Sequence, residues 1–398
     1  MARGVAITGM GIISSIGNNL EENFQSLIDK TPGISRIKNI ETHHKNQIKV
    51  GEIKATNDEL IKILDLPDTN NYSRTALLAQ IAAQEAVRNA KITKITAYKT
   101  GLISATSVGG MDMTEKHYYS QFEETKNRKY IESHPAAAAT TKIANKLGIT
   151  DFVTTISTAC SSSANAIMLG ARMIKAGKLD RVIVGGSDCL SKFTINGFNT
   201  LMILSEDNCK PFDKNRTGLN LGEAAAFLVL ESDEIVKKEN KEILAYVSGY
   251  ANANDAFHQT ASSESGEGAT LAMKKALRLA NLSPNDIDYI NAHGTATENN
   301  DSSESNAILN VFGENIPDLS STKAYTGHTL AAAAAIEAVY SILSLQKDII
   351  FPNLNFETPI SESNIVPVID VLHKKINHVL SNSFGFGGNC STLIFSKA

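Results

Sequence analysis

One cysteine stands where acyl chemistry is plausible. Cys160 lies in the segment STACSSSANA, just ahead of a helix predicted for Ser162–Lys175. Unpaired backbone N–H groups and the positive end of the helix dipole favour a thiolate at such a position, and a thiolate is the nucleophilic form of cysteine. A buried structural cysteine is the alternative, and the position alone does not exclude it. Further reactive groups are therefore needed to support covalent catalysis.

Two histidines supply such groups. His293 follows an apolar strand predicted for Asp288–Ala292, at the carboxyl end where α/β folds place their ligands. His328 stands directly before a small-residue helix predicted for Thr329–Leu345. One thiol and two imidazoles predict acyl transfer to cysteine, followed by a step that needs two N–H donors. The other histidines show no partner pattern: His43, His44, His117, His134, His258, His373 and His378.

The elements that must position these residues alternate between strand and helix. Ser73–Asn89 is predicted as an amphipathic helix capped by Ser73, and Asp180–Ser187 as a fully buried strand. The first strand is expected at Gly4–Ile7, closed by the turn Thr8-Gly-Met-Gly. The chain restarts with a similar strand at Leu244–Gly249. This order predicts a layered α/β fold of two related halves, residues 1–243 and 244–398.

Composition narrows the functional class. The 398 residues are 42% hydrophobic and 20% charged with a net charge of -4, which gives no support for nucleic acid or an anionic membrane as a partner. Met1–Gly17 is expected to be strand and turn rather than a signal peptide. The most apolar stretch, Leu330–Leu345, is interrupted by Glu337, so no membrane span is expected. Four scattered cysteines without metal-binding spacing predict free thiols, no metal site and a cytoplasmic location.

An ordered set of motifs carries a family resemblance. STACSSSANAI, NAHGTATENNDSSE, KAYTGHTLAAAAAIE and SNSFGFGGN resemble the condensing enzymes of fatty-acid and polyketide synthesis, and PFDKNRTGLNLGEAAAFLVLE is similar to a further family stretch. The likeness covers nearly the whole chain and is greatest to elongating β-ketoacyl-acyl-carrier-protein synthases with a Cys-His-His site. It implies a thiolase-like fold with layers in the order α-β-α-β-α. The nucleophile would lie in the first half and both histidines in the second.

The resemblance also implies a reaction. Cys160 would take an acyl chain from an acyl carrier protein, and condensation with malonyl-carrier protein, with loss of CO2, would give a 3-oxoacyl product. Neutral His293 and His328 would donate hydrogen bonds to the enolate oxygen, because two charged imidazoles so close together would be hard to sustain. The backbone N–H groups of Cys160 and Phe386 would form an oxyanion hole. No resident cofactor is expected, since phosphopantetheine arrives on the carrier protein.

Supporting roles follow from the same resemblance. Lys323 would tune the electrostatics or orient His328, and Glu304 would organise Lys323 and nearby water. Asp301 and Glu337 would be structural supports. Thr295 and Thr297 would hydrogen-bond the phosphopantetheine arm. The full set of substrate-binding positions is Thr295, Thr297, Phe384, Gly385, Phe386 and Gly387.

Partners are implied as well. Carrier proteins of this kind are acidic, so a local basic patch is expected on the surface. Its candidates are Arg74, Lys126, Arg128 and Lys129. Relatives form homodimers or heterodimers with a related subunit, and the segment around residues 150–190 is predicted to supply the interface.

Several questions stay open. The final loop reads Gly-Gly-Asn-Cys, which adds Cys390 near the site without an assigned role. A thiolase acting on acyl-CoA and a non-catalytic partner subunit are the alternatives. The two-histidine pattern disfavours the thiolase, and the presence of Cys160 disfavours the non-catalytic subunit. Acyl-chain length, and the choice between fatty-acid synthesis and a specialised polyene or polyketide route, are not decided by the sequence.

Overall fold

The computed structural model describes residues 5–398 as alternating strands and helices. The strands, in chain order, are β1 (Val5–Ser14), β2 (Ile34–Arg36), β3 (Lys49–Gly51), β4 (Thr100–Ala105), β5 (Phe152–Ile156), β6 (Arg181–Asp188), β7 (Leu221–Gly222), β8 (Ala224–Ser232), β9 (Ala245–Asn254), β10 (Tyr289–Asn291), β11 (Asp318–Ser320), β12 (Ile349–Ile350), β13 (Leu372–His373), β14 (His378–Gly385) and β15 (Asn389–Ser396). The α-helices are α1 (Leu20–Ile28), α2 (Asn57–Ile63), α3 (Arg74–Asn89), α4 (Met111–His117), α5 (Ser120–Glu123), α6 (Arg128–Ile131), α7 (Ala137–Leu147), α8 (Ser162–Lys175), α9 (Lys192–Thr200), α10 (Asp233–Glu239), α11 (Glu267–Ala280), α12 (Glu298–Phe312), α13 (Lys323–Thr326) and α14 (Ala333–Lys347). Short 3-10 helices cover Ile95–Ala97, Thr125–Asn127, Pro284–Asp286 and Leu330–Ala332.

The large sheet is made of two repeated sets of five strands. Its order is β11-β10-β14-β15-β9-β1-β8-β6-β4-β5, and the sets join where β1 pairs with β9 at Ala6 and Ile7. Counted outward from that junction, each set has two antiparallel pairings followed by two parallel pairings. The expected two related halves are therefore present as one repeated strand pattern.

Helices complete a five-layer arrangement. α8 and α14 pack on each other and on strands of both sets, which makes them the middle layer. α3 covers β1, β8 and β6 on the outer face of the first set, while α11 and its neighbour α12 cover the second. This is the α-β-α-β-α order that the family resemblance implies.

The apolar segment before residue 348 belongs to that middle layer. Leu330–Lys347 is the one segment among residues 5–398 with the length and hydropathy of a membrane span, and 89% of it is buried inside the protein. It is a 3-10 turn followed by α14, and two layers of strands cover it. Its apolar character is thus explained by core packing.

Local sequence patterns predicted most helices and strands correctly, but they predicted the end of the first strand wrongly. α3 begins after Ser73, whose side chain accepts from the Ala76 N–H, and α8 has the predicted bounds. β1 runs on to Ser14 instead of turning at residue 8, and Gly4 lies outside the described residues. A Cβ on Gly9 would stand 2.5 Å from the Ala90 Cβ, and one on Gly11 2.3 Å from the Ala82 carbonyl oxygen. These glycines therefore let α3 approach the strand and do not mark a turn.

Candidate active site

The nucleophile lies on a tight turn between β5 and α8. Ala159, just before Cys160, has a φ of 52°, and the Ser162 hydroxyl accepts from the Thr158 N–H at 2.8 Å and donates to the Ala159 carbonyl. Cys160 is 5% exposed and lies next to the first turn of the helix. The run of serines and alanines in the sequence forms this turn, because small side chains leave room for a strained backbone and a nearby ligand.

The glycine loop between β14 and β15 meets the nucleophile turn. A Cβ on Gly385 would stand 2.8 Å from the Thr158 carbonyl oxygen, so the close approach requires glycine. Gly387 and Gly388 adopt positive φ angles of 83° and 79°. The backbone N–H groups of Phe386 and Cys160 lie close enough to the sulfur to lower the pKa of the Cys160 thiol. These are the two donors expected for an oxyanion hole, and both lie beside the nucleophile.

His328 contacts the thiol directly. Its Nε2 lies 3.0 Å from Cys160 Sγ, and its Nδ1 accepts the N–H of Leu330 at 3.2 Å. Since Nδ1 is an acceptor, the ring proton belongs on Nε2 and points at the sulfur. The imidazole is thus set to donate a hydrogen bond at the reacting centre.

His293 stands beside it. The two imidazole rings are 5.4 Å apart and nearly perpendicular, and the Phe384 ring lies 5.6 Å from His293 on another side. Glu304 on α12 accepts the backbone N–H groups of His293 and Gly294 at 2.9 and 2.8 Å. The carboxylate therefore fixes the backbone that carries this imidazole.

A buried lysine lies behind both histidines. Lys323 donates to the His293 carbonyl oxygen at 2.5 Å and forms an ion pair with Glu337 on α14. Burial and the Lys323 charge hold the pKa values of His293 and His328 well below the usual histidine range, and for His293 the neighbouring imidazole adds to the effect. Both rings are therefore neutral at pH 7, as an N–H donor pair requires.

The carboxylates are arranged differently from the expectation. Glu304 contacts the backbone of the His293 turn and the Asn382 amide, whereas the buried partner of Lys323 is Glu337. The role given to Glu304, organising Lys323, thus belongs to Glu337 by position. Asp301 accepts the N–H groups of Phe212 and Ala296 and so ties two loops together.

The resting nucleophile is a thiol and not the expected thiolate. Burial raises the pKa of Cys160 from 9.0 to about 12, against the opposing effects of Lys323 and the backbone N–H groups of Phe386 and Cys160. Asp188, a buried carboxylate at the end of β6, raises it further. The helix terminus and its donors thus reduce the effect of burial without overcoming it.

Known proteins are similar to this chain along nearly its whole length. Residues 2–235 match the family model described as "Beta-ketoacyl synthase, N-terminal domain", and residues 244–357 match "Beta-ketoacyl synthase, C-terminal domain". The chain belongs to the β-ketoacyl synthase family. It is 34% identical to the 3-oxoacyl-[acyl-carrier-protein] synthase 2 of Staphylococcus aureus (strain COL), over 99% of this chain and 98% of the relative. Membership makes it a condensing enzyme of the acyltransferase class.

Solved structures of ketosynthases are similar to this chain in fold. The ishigamide ketosynthase/chain length factor is 28% identical and superposes with a TM-score of 0.94, covering all of both chains. A type II PKS acyl-carrier protein in complex with its ketosynthase, AntDE:AntF, gives a TM-score of 0.86 at 26% identity, again over all of both chains. The thiolase-like fold implied by the sequence is therefore confirmed.

A cavity of about 730 Å³ leads to the synthase site. Cys160, His293 and His328 line it together with the predicted substrate-binding residues Thr295, Thr297, Phe384, Gly385, Phe386 and Gly387. The two threonine hydroxyls are 2.9 Å apart. The cavity thus brings together Cys160, the two histidines and the predicted substrate-binding residues, whereas Lys323 lies behind the histidines and does not line it.

Among the cavity residues that the sequence reasoning missed, two make specific contacts. Phe198 on α9 stacks on Phe386, with ring centroids 5.9 Å apart. Arg216 donates to the Thr297 carbonyl oxygen at 3.2 Å and to the Ser302 hydroxyl at 2.8 Å. Arg216 lies inside the quoted motif PFDKNRTGLNLGEAAAFLVLE and could have been found there, whereas Phe198 carries no signal beyond an apolar helix position.

The four candidates for the basic surface patch, and Cys390, lie away from this cavity. Arg74 is buried, and its guanidinium binds the Glu223 carboxylate, so the expectation that it belongs to a basic surface patch is wrong. Lys126 and Arg128 are exposed, and Lys129 is half-buried. Cys390 is a buried residue of β15 opposite Phe384.

Proposed function

We propose that this synthase elongates acyl chains on an acyl carrier protein, using Cys160 as nucleophile and malonyl-carrier protein as the two-carbon donor. The observation that carries the proposal is the contact of His328 Nε2 with Cys160 Sγ at 3.0 Å, with the His293 ring alongside. Two neutral imidazoles beside the thiol support the formation of an enolate next to an acyl thioester. The likeness to 3-oxoacyl-[acyl-carrier-protein] synthase 2 supports the same reaction.

In the first step the thiol of Cys160 attacks the thioester carbonyl of the acyl-carrier protein. The carbonyl oxygen becomes an oxyanion, which accepts the N–H groups of Cys160 and Phe386. Collapse breaks the bond to the pantetheine sulfur, which leaves as a thiol with the proton that Cys160 gives up. The acyl chain is then held on Cys160 as a thioester.

In the second step malonyl-carrier protein binds in the same cavity and loses CO2. The electron pair left behind delocalises onto the thioester oxygen, and the neutral imidazoles of His293 and His328 donate hydrogen bonds to it. The carbanion attacks the acyl-Cys160 carbonyl, and the oxyanion hole serves a second time. Expulsion of the Cys160 thiolate, which takes up a proton, gives the 3-oxoacyl-carrier protein and the free enzyme.

Both alternatives are less well supported. A thiolase needs a second cysteine as its base, and among the cysteines of residues 5–398 Cys160 is the one that lines the cavity. A non-catalytic subunit would have no use for a thiol in contact with a neutral imidazole inside an oxyanion hole.

The proposed assembly is a dimer of this chain with itself or with a related chain. β5 is the terminal strand of the large sheet, and its Val153 side chain is 40% exposed. An open strand edge of this kind can pair with a second chain. The ketosynthase/chain length factor likeness supports a related subunit as the partner.

We infer a cytoplasmic enzyme, supported by four cysteines that are free and buried. No resident cofactor is required, because the chain itself supplies the nucleophile, the oxyanion donors and the imidazoles. Two routes are candidates for the acyl group, fatty-acid synthesis and a specialised polyene or polyketide route, and the experiment below decides between them.

The test is intact-protein mass spectrometry after mixing the enzyme with a panel of acyl-carrier proteins. The wild type should gain one acyl mass, Cys160→Ala should gain none, and Cys390→Ala, the matched control thiol, should behave as wild type. The acyl group taken up fastest identifies the pathway. Acylation from acyl-CoA but from no carrier protein would favour the thiolase, and acylation by neither donor would favour a non-catalytic subunit.

A further inference from the structure

Asp188 is a buried carboxylate with no place in the reaction described so far. It ends β6 and is fully buried. Its Oδ1 accepts the Thr106 hydroxyl at 2.5 Å and the N–H groups of Ser107 and Val108 at 3.0 and 3.2 Å. These donors belong to the loop that follows β4. One oxygen of the carboxylate thus anchors a loop of the first half.

The other oxygen reaches the second half. Asp188 Oδ2 accepts the Ala331 N–H at 2.9 Å, three residues after His328. The intervening Leu330 has a φ of 53° and gives the N–H that fixes Nδ1 of His328 as an acceptor. β6 is close to this turn, since a Cβ on Gly186 would stand 3.0 Å from the Ala331 carbonyl oxygen. Asp188 therefore holds the backbone that sets the His328 proton.

We propose that Asp188 is a positioning residue for the condensation reaction: by binding the Ala331 N–H it holds the Leu330 turn, and so keeps the His328 proton on Nε2, facing Cys160. The inference rests on the proposed function of His328 as a hydrogen-bond donor to the enolate. Without the contact, the turn relaxes, Nδ1 loses its donor, and the ring is free to place its proton on the wrong nitrogen. Asp188 itself touches neither thiol nor substrate.

The asymmetry of the contacts makes Asp188→Asn a selective change. An amide offers one oxygen acceptor, and its NH2 repels backbone N–H groups. Three donors converge on Oδ1. Oδ2 accepts the Ala331 N–H and shares the Ser107 N–H with Oδ1. The amide oxygen should therefore stay with the loop, and the NH2 should face Ala331. The substitution breaks the contact that the proposal invokes.

The first measurement is the tautomer of His328, by nitrogen-15 NMR of histidine-labelled protein, with His328→Gln used to assign the signal. Wild type should show the proton on Nε2, and Asp188→Asn should show a mixture of both tautomers. In parallel, malonyl-carrier-protein decarboxylation should fall on the order of 100-fold, the scale of a displaced catalytic group. Acylation of Cys160 should fall less, because it draws on the oxyanion N–H groups.

Glu231→Gln is the matched control. Glu231 is as fully buried as Asp188 and pairs with Arg181 at the opposite end of β6, roughly 23 Å away at about 3.3 Å per strand residue. The Glu231→Gln variant should be less stable than wild type but keep the Nε2 tautomer of His328 and the wild-type decarboxylation rate. Equal losses in both variants, or an unchanged tautomer in Asp188→Asn, would overturn the proposal.

A milder variant covers the case that Asp188→Asn does not fold. Thr106→Val removes one donor from Oδ1 while keeping the carboxylate, and it should shift the tautomer and the rate in the same direction by less. A rate loss without any tautomer shift would count against the proposal. If the wild type fails to condense at all, the proposed function fails, and the NMR comparison still decides the role of Asp188.

Discussion

The two halves of the molecule each contribute a turn at an equivalent position of the site. The two turns carry different reactive side chains and have different polar surroundings. In the first half, β5 leads through the Cys160 turn into α8; in the second, β11 leads through the His328 turn into the 3-10 helix and α14. α8 and α14 pack against each other in the middle layer, so the two turns meet, with Nε2 3.0 Å from Sγ. A repeated backbone has thus brought together two unlike side chains.

The difference lies in what surrounds each turn. The hydroxyl groups of Ser161 and Ser162 hydrogen-bond to the backbone within the Cys160 turn, whereas Lys323 and Glu337 form a buried ion pair beside the His328 turn. Burial keeps the thiol protonated and the imidazoles neutral alike. The first half therefore supplies the nucleophile and the oxyanion N–H of Cys160, and the second supplies the oxyanion N–H of Phe386 and the two neutral imidazoles. Each of the following predictions tests that division.

The largest effect is expected on the reactivity of the thiol. With a pKa of about 12 in place of 9.0, the thiolate fraction of Cys160 near neutral pH is on the order of 1000-fold lower than that of an ordinary cysteine. Alkylation by iodoacetamide should be slow and rise tenfold per pH unit through pH 9 without a plateau, with Cys160→Ala correcting for the other thiols. A plateau below pH 9 would show that the first half favours the thiolate after all.

The next largest effect is expected for His328, whose loss should slow one reaction step much more than the other. His328→Ala removes one enolate donor, so decarboxylation and condensation should fall on the order of 100- to 1000-fold. Acylation of Cys160, followed by quenched-flow mass spectrometry, should be affected far less, since its oxyanion donors stay in place. His373→Ala, at an exposed histidine of β13, is the control. Equal loss in both steps would mean that the imidazole serves acylation as well.

Sequence reasoning succeeded where the signal is local. Ser73 predicted the start of α3, and the small residues after Cys160 predicted α8, because caps and periodicity depend on neighbours in the chain. The three reactive groups were found because each stands at the end of a strand or the start of a helix. The geometry that joins them could be anticipated from the family motifs.

It failed where the deciding partner is distant in sequence. Gly9 and Gly11 look like turn residues until α3 packs on them. Arg74 looks exposed in the first turn of a helix, but Glu223 pairs with it across the first half. The choice of Glu337 over Glu304 as the partner of Lys323 depends on how α14 lies in the middle layer, which no spacing reveals.

A third prediction compares one buried ion pair from each half. Above pH 7, where the Glu337 carboxyl ionises, Glu337→Gln leaves Lys323 buried and unpaired and should lower the free energy of unfolding by about 3–5 kcal/mol. Glu231→Gln should cost a similar amount at the Arg181 pair. Denaturant unfolding measures both. Decarboxylation should fall in Glu337→Gln alone, and a loss in both variants would remove the distinction between the halves.

The smallest effect concerns the pH dependence of stability. Burial outweighs three N–H donors and raises the pKa of Glu304 from 4.5 to about 7, so the neutral carboxyl is favoured on folding. The resulting stabilisation, on the order of 3 kcal/mol, is present below pH 4.5 and lost as the pH rises through about 7. The difference in unfolding free energy between wild type and Glu304→Gln should therefore shrink across that window, as measured by urea titrations.

In the first half, Asp188 is the buried carboxyl group that corresponds to Glu304, and it should also make stability depend on pH. Burial raises the pKa of Asp188 from 3.8 to about 6. The difference in unfolding free energy between wild type and Asp188→Asn should therefore shrink between pH 3.8 and about 6, a lower range than for Glu304→Gln. A flat difference for either variant would mean that the donors around that carboxylate offset its burial. Coinciding windows would mean that the two halves hold their buried acids in equivalent environments, and the contrast between them would then be confined to the residues in contact with the thiol.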